Sequence, residues 1–182
     1  FVQLNGLQLF PPSLRLHRRP LGYMTQEPGL FPHLSVSENI HFGISKSLAA
    51  STEQRQWIDT LRGRLQLGPL WHAPASLISG GQARRVALAR MLARKPSLVL
   101  LDEPFAGLDR QPVRELIDDQ IFWSRQIGFS MIAVDHQVEV LKRLCPQQAI
   151  VLEQGRIVQS GTWTELYSAP ATPLLESLLA PL

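Results

Sequence analysis

The 182-residue sequence is 45% apolar and 18% charged, which suits one globular α/β domain and excludes a disordered chain. A formal net charge of +3 tolerates anionic ligands, but no Lys/Arg block of nucleic-acid type occurs, so no nucleic acid is expected as a partner. The single cysteine, Cys145, excludes an intrachain disulfide framework, and no apolar run approaches the roughly 20 residues that cross a bilayer. The chain is therefore expected to be soluble and cytoplasmic. It begins at Phe1 in strand-like sequence, so its natural start is expected to lie upstream.

In chain order, Phe1 to Phe10 reads as strand, turn and strand around Asn5-Gly6, after which Pro11 and Pro12 break the pattern. Past the basic stretch Arg15 to Arg19, Leu21 to Met24 reads as a short strand that opens at Gln26 into a turn-rich loop, Glu27 to His33. A short helix begins at Ser37-Glu38-Asn39-Ile40. A longer one follows from Ser51 or Thr52, with Trp57, Leu61 and Leu65 on one face. Ser79-Gly80-Gly81-Gln82 heads a helix that carries Ala83, Val86, Ala87 and Met91 at helical spacing and ends before Lys95-Pro96. Helices within about 34–92 are expected to form a small separate layer. Leu98 to Leu101 is an unbroken apolar run, expected to be a parallel strand buried on both faces, and it terminates in Asp102-Glu103-Pro104. Pro112 to Gln126 reads as an amphipathic helix, Phe129 to Val134 as a second buried strand ending at Asp135-His136, and Val138 to Leu144 as a helix. Ala149 to Leu152 and Arg156 to Gln159 close the pattern as a hairpin around Gln154-Gly155, followed by a short helix, Thr164 to Tyr167, and a Pro-containing tail.

Open α/β sheets bind ligands at the carboxyl ends of their strands. A carboxylate there, Asp102, can hold Mg²⁺, and the adjacent Glu103 can orient or polarise an attacking water in phosphoryl transfer. His136 ends a parallel strand on the same edge and can contact a γ-phosphate, while Gln26 can reach the metal or water through its amide. At the Ser79 helix start, free backbone N–H groups and the positive end of the macrodipole make an anion site, and the glycines admit a phosphate closely. Taken singly, each is an ordinary feature: two solvated acids, a helix cap, a strand-end histidine. Their company changes that reading.

Together these residues resemble the ABC ATPases. Gln26 matches the Q-loop glutamine, Ser79 to Gln82 the signature motif, Asp102 and Glu103 the Walker B aspartate and catalytic glutamate, Ala106 to Asp109 the D-loop, and His136 the switch histidine. The motifs appear in family order and at family spacing. The resemblance implies a P-loop NTPase-like fold, a mostly parallel sheet with a helical subdomain, in a single domain over 1–182. It further implies ATP and Mg²⁺ as cofactors and two ATPase subunits paired head to tail, each nucleotide lying against the signature helix of the other copy. Catalysis would fall to Glu103 and His136, metal binding to Asp102 and Gln26, and nucleotide contact to Gln26, Ser79, Gly80, Gly81, Gln82 and Asp109. The segment Leu30 to Val36 with Glu38-Asn39-Ile40 is similar to importers. That implies transmembrane permease partners, a solute-binding protein indirectly, a place on the cytoplasmic face of the inner membrane, and a small anion such as molybdate as the favoured cargo. A degenerate interaction module and a non-transport ABC ATPase are the alternatives.

Three departures leave the catalytic groups intact: Ile78 replaces a usual leucine, Gly107 a usual alanine, and Asp135 a usual threonine or serine. A larger one is that no G-x-x-x-x-G-K-[ST] phosphate loop occurs anywhere in the sequence. The N-terminal part of the core is expected to be missing, and the chain by itself is expected to be inactive.

Overall fold

The apolar runs form three adjacent parallel strands, β3 (Leu21–Met24), β4 (Leu98–Asp102) and β5 (Ser130–Val134), in the order β3-β4-β5. The structure is a computed structural model that describes residues 2–4, 7–10, 20–107 and 110–180. Two short strands, β1 (Val2–Leu4) and β2 (Leu7–Phe10), pair antiparallel ahead of this sheet. Asn5-Gly6 and Arg15 to Arg19 lie outside the described residues. Four helices follow β3: α1 (Val36–His41), α2 (Lys46–Ala49), α3 (Thr52–Arg64) and α4 (Gly80–Leu92). Beyond β4, α5 (Arg110–Ile127) leads to β5 and α6 (Val138–Leu144) to an antiparallel pair, β6 (Ala149–Glu153) and β7 (Arg156–Gly161). The last two helices are α7 (Trp163–Ser168) and α8 (Pro173–Leu179).

Register decides which side chains share a face. Gly22 aligns with Val99 and Met131, and Met24 with Leu101 and Ala133. This face is covered: Met24, Val99 and Leu101 are each at most 3% exposed. A Cβ on Gly22 would lie 2.7 Å from Met91 Cγ, so α4 crosses β3 where glycine leaves room. The opposite face carries Tyr23, Ile132 and Val134, each more than half exposed. The expected burial of β4 and β5 on both faces is therefore corrected: burial alternates with the pleat, because among the described residues the helices pack on one side only.

Capping fixes the helix starts. Ser35, not Ser37, begins α1, with a reciprocal capping box to Glu38. Ser51 caps α3 as expected, and Gln54 and Trp57 of that helix donate to the last carbonyls of α4, Ala93 at 2.7 Å and Leu92 at 3.0 Å. Trp57 also stands edge-on to Trp123 of α5, with ring centroids 5.3 Å apart. Leu61, Leu88 and Leu92 are fully buried where these helices meet, each stabilising by about 2 kcal/mol through removal from water.

The hairpin turn lies at Gln154-Gly155, both residues at positive φ, which matches the right-handed strand twist of a two-residue loop. The tail after Tyr167, read only as Pro-containing, holds helix α8. Thr172 caps it, Pro173 occupies its first turn, and Leu175 and Leu179 pack with Leu166 of α7 in a second small core.

Candidate functional site

The carboxyl ends of β3, β4 and β5 lie side by side, since Met24 aligns with Leu101 and Asp102 with Val134. Parallel pairing thus sets Gln26, Asp102-Glu103 and Asp135-His136 along one edge of the sheet. Glu103 extends the ladder by one residue, its N–H donating to Val134 O at 2.8 Å, and it does so with φ at 43°, the left-handed region that a non-glycine residue rarely adopts. The chain turns there. Pro104 and Phe105 go into the core while the Glu103 carboxylate stays at the surface, 38% exposed.

His136 Nδ1 is 3.9 Å from Glu103 Oε1 and 3.7 Å from Asp135 Oδ1. The Asp135 carboxylate is 2% exposed and accepts the N–H of Gln137 at 2.8 Å, which orders the entry into α6. This proximity to the imidazole is invisible in sequence, where Asp135 is only a departure from a usual residue. The His136 ring is 64% exposed and free to meet a ligand. Asp102 projects onto the open face of the sheet, where Tyr23, two residues back in register on the neighbouring strand, donates its hydroxyl to Asp102 Oδ2 at 3.2 Å. That hydrogen bond to the carboxylate pushes the Tyr23 pKa up, so the phenol remains a donor.

An oxygen donor set of Asp102 and the Gln26 amide suits a hard cation such as Mg²⁺. No group of three or more His, Cys, Asp or Glu able to hold a metal occurs among the described residues.

Ser79 is the N-cap of α4. Its hydroxyl accepts from Gln82 N at 3.3 Å and its N–H donates to Gln82 Oε1 at 2.8 Å. The Gln82 side chain, expected to contact nucleotide, is thus engaged in the cap. Gly80 and Gly81 stand in the first helical turn, where glycine costs up to about 1 kcal/mol each relative to alanine. A Cβ at either would meet nothing within 4 Å, so packing within the chain does not call for glycine. Among the described residues no hydrogen bond or ion pair joins Ser79 to Gln82 with Asp102, Glu103 or His136, so within one copy these are two separate groups. Asp109 lies outside the described residues.

Arg84 is the residue the motif reading missed. It is 7% exposed, and its guanidinium donates to the carbonyls of Gln26 at 2.8 Å, Pro104 at 2.7 Å and Ala106. The available signal was a charge at position 84 on the helical face that continues through Ala87, Leu88 and Met91.

The ABC transporter family description matches residues 2–106. The chain is 39% identical over 167 residues to the thiamine import ATP-binding protein ThiQ of Salmonella typhimurium, spanning 90% of this chain and 68% of that protein. It is 37% identical over 173 residues to the molybdate/tungstate import ATP-binding protein WtpC of Thermococcus kodakarensis, spanning 94% of this chain and 51% of that one. The chain covers about half the length of the WtpC proteins it matches. Among solved structures, CbiO1 of Clostridium perfringens, described as part of the ABC transporter complex CbiONQ, superposes with a TM-score of 0.70 at 28% identity, over 83% of this chain and 60% of that one.

Proposed function

This chain belongs to the ABC transporter family, and from that premise we propose that it is the ATP-hydrolysing subunit of a membrane importer, working as a head-to-tail pair with each nucleotide held between two copies. The observation that carries the reading is the strand-end cluster, with Glu103 and His136 3.9 Å apart beside Asp102. Glu103 aligns a water for in-line attack, and His136, backed by the buried Asp135 carboxylate, meets the γ-phosphate. Asp102 and Gln26 would hold Mg²⁺, which supplies charge neutralisation on the phosphates when bound.

Ser79, Gly80 and Gly81 serve the nucleotide seated on the partner copy, with Asp109 a further nucleotide contact and Gln82 acting through the cap it forms with Ser79. Splitting the site between copies accounts for glycines that face open space in one copy. In this reading residues 34–92 form a helical subdomain within one domain spanning 1–182. Its surface at the 53%-exposed Phe42, together with Phe31 of the preceding loop that stacks on it, meets permease subunits at the cytoplasmic face of the membrane, a solute-binding protein delivering cargo to them. No helix among the described residues is long and apolar enough to cross the membrane itself. For cargo we favour a small oxyanion of the molybdate class, as in the name of WtpC. The 182 residues contain no phosphate loop, so this stretch by itself binds Mg-ATP poorly.

Phosphate release by the full-length protein with its permease tests the reading. Glu103→Gln lowers kcat by roughly 100-fold or more while ATP binding persists. Uptake of labelled molybdate by cells lacking the protein returns with the wild type and not with Glu103→Gln. Undiminished hydrolysis by that variant would refute the assignment.

A further inference from the structure

Arg84 is a charged side chain on the buried face of α4, 7% exposed among Ala87, Leu88 and Met91. Desolvating a guanidinium is costly unless its donors are used, and here the hydrogen-bond partners are all backbone carbonyls. They come from two segments distant in sequence. Gln26 belongs to the loop leaving β3, while Pro104 and Ala106 belong to the turn that begins at Glu103. Arg90, further along the same helix, donates to Gly29 O at 2.8 Å and Pro28 O at 2.9 Å. Both ends of the 26–29 stretch are therefore fastened to α4. The planar guanidinium presents five donors in a fixed fork, which is why a single side chain can reach both segments. Burial lowers the pKa of both arginines, yet a guanidinium keeps its charge in proteins. Ser79, Gly80 and Gly81 form the start of this helix, so the clamp connects the exposed glycine-led end to the loops carrying Gln26 and Glu103.

We propose that Arg84 is a positioning residue that locks the start of α4, the Gln26 loop and the turn after Glu103 into one unit, so that displacement of any one of them shifts the other two. Its effect on turnover rests on the proposed function; the clamp itself does not. The test combines hydrogen–deuterium exchange with ATP hydrolysis in the full-length protein, comparing wild type with Arg84→Ala, Arg84→Gln and Arg84→Lys. Ile58→Val, which weakens the core in α3 away from these loops, serves as the stability control.

In Arg84→Ala, exchange in peptides covering 26–29 and 103–107 rises together by about tenfold. In the same variant kcat falls by roughly tenfold or more at nearly unchanged KM for ATP, because misplacement of catalytic groups is costly. Added methylguanidinium restores part of both, Arg84→Lys and Arg84→Gln keep intermediate values, and Ile58→Val changes neither. Unchanged exchange, loosening of only one segment, or the same effects in Ile58→Val would each overturn the clamp. If wild-type protein fails to hydrolyse ATP while exchange responds as expected, the proposed function falls and the clamp stands. If wild type hydrolyses ATP and Arg84→Ala keeps its kcat, the positioning role falls and the function stands.

Discussion

Glu103 sits where backbone geometry and chemistry meet. Its amide prolongs the β4–β5 ladder, and its positive φ turns the chain so that Pro104 and Phe105 enter the core while the carboxylate remains outside. A left-handed non-glycine residue costs on the order of 1 kcal/mol or more, which the surrounding ladder and the Arg84 hydrogen bonds hold in place. Tyr23 makes the other informative contact, orienting Asp102 through a hydroxyl that stays protonated. Tyr23→Phe removes that donor without changing shape. The Mg²⁺ concentration for half-maximal hydrolysis is expected to rise by roughly two- to fivefold, since the bond is exposed and worth about 1 kcal/mol at most; an unmoved Mg²⁺ titration would show that the contact orients nothing. The positions of Asp102, Glu103 and His136 were legible in the sequence because polar groups ending apolar runs mark strand ends. Tyr23 and Arg84 were not, because their contacts depend on strand register and on partners 79 and up to 58 residues away, and Asp135 was not, because adjacency in sequence does not tell whether its carboxylate turns toward His136.

Among the elements, the stretch from Phe31 to His41 shows how a loop can be held without a sheet. Asn39 is fully buried, accepts from Phe31 N at 2.8 Å and donates to the carbonyls of Phe31, Leu34 and Ser35. Asn39→Ala strands these groups and is expected to destabilise the protein by about 2 kcal/mol, read as a lowered urea midpoint. Glu38 faces a different stress. The Ser35 hydroxyl, and then the Ser35 amide, hold its carboxyl below the usual range. A depressed folded pKa contributes stability above the unfolded value that is lost as pH falls through the folded one, so α1 frays on acidification below about pH 4. Glu38→Gln keeps the cap and removes the titration. Amide exchange over 35–41 is expected to depend on acid pH in wild type less the intrinsic rate, and to lose that dependence in the variant. Helices α1 and α3 were legible from cap residues and period, whereas the four-residue α2 was not read; Ser35 rather than Ser37 begins α1, because only Ser35 has a Glu three residues on to close the capping box. Helix α8 was hidden because Pro173 reads as a breaker, whereas at the first helical position it is tolerated.

For the whole molecule, the sheet is covered on one face among the described residues, and the proposed site falls into two groups of residues. Tyr23, Ile132 and Val134 lie open on the sheet face, Ile150, Leu152 and Ile157 on the hairpin, and Gly80 and Gly81 face empty space. Fold class was legible from the alternation of apolar runs and helices; burial was not, because an all-apolar run cannot tell which of its faces is covered. The strand-end acids and the glycine-led helix belong to separate groups within one copy, and in the proposed function a second copy brings them onto the same phosphate. That pairing is tested most directly by the association state of full-length Glu103→Gln with and without Mg-ATP, measured by light scattering. The expected result is a monomer that becomes a dimer with ATP and reverts when Gly81→Asp is added, the new carboxylate repelling the phosphate. A protein that stays monomeric at saturating Mg-ATP, or a dimer indifferent to both nucleotide and Gly81→Asp, would contradict it.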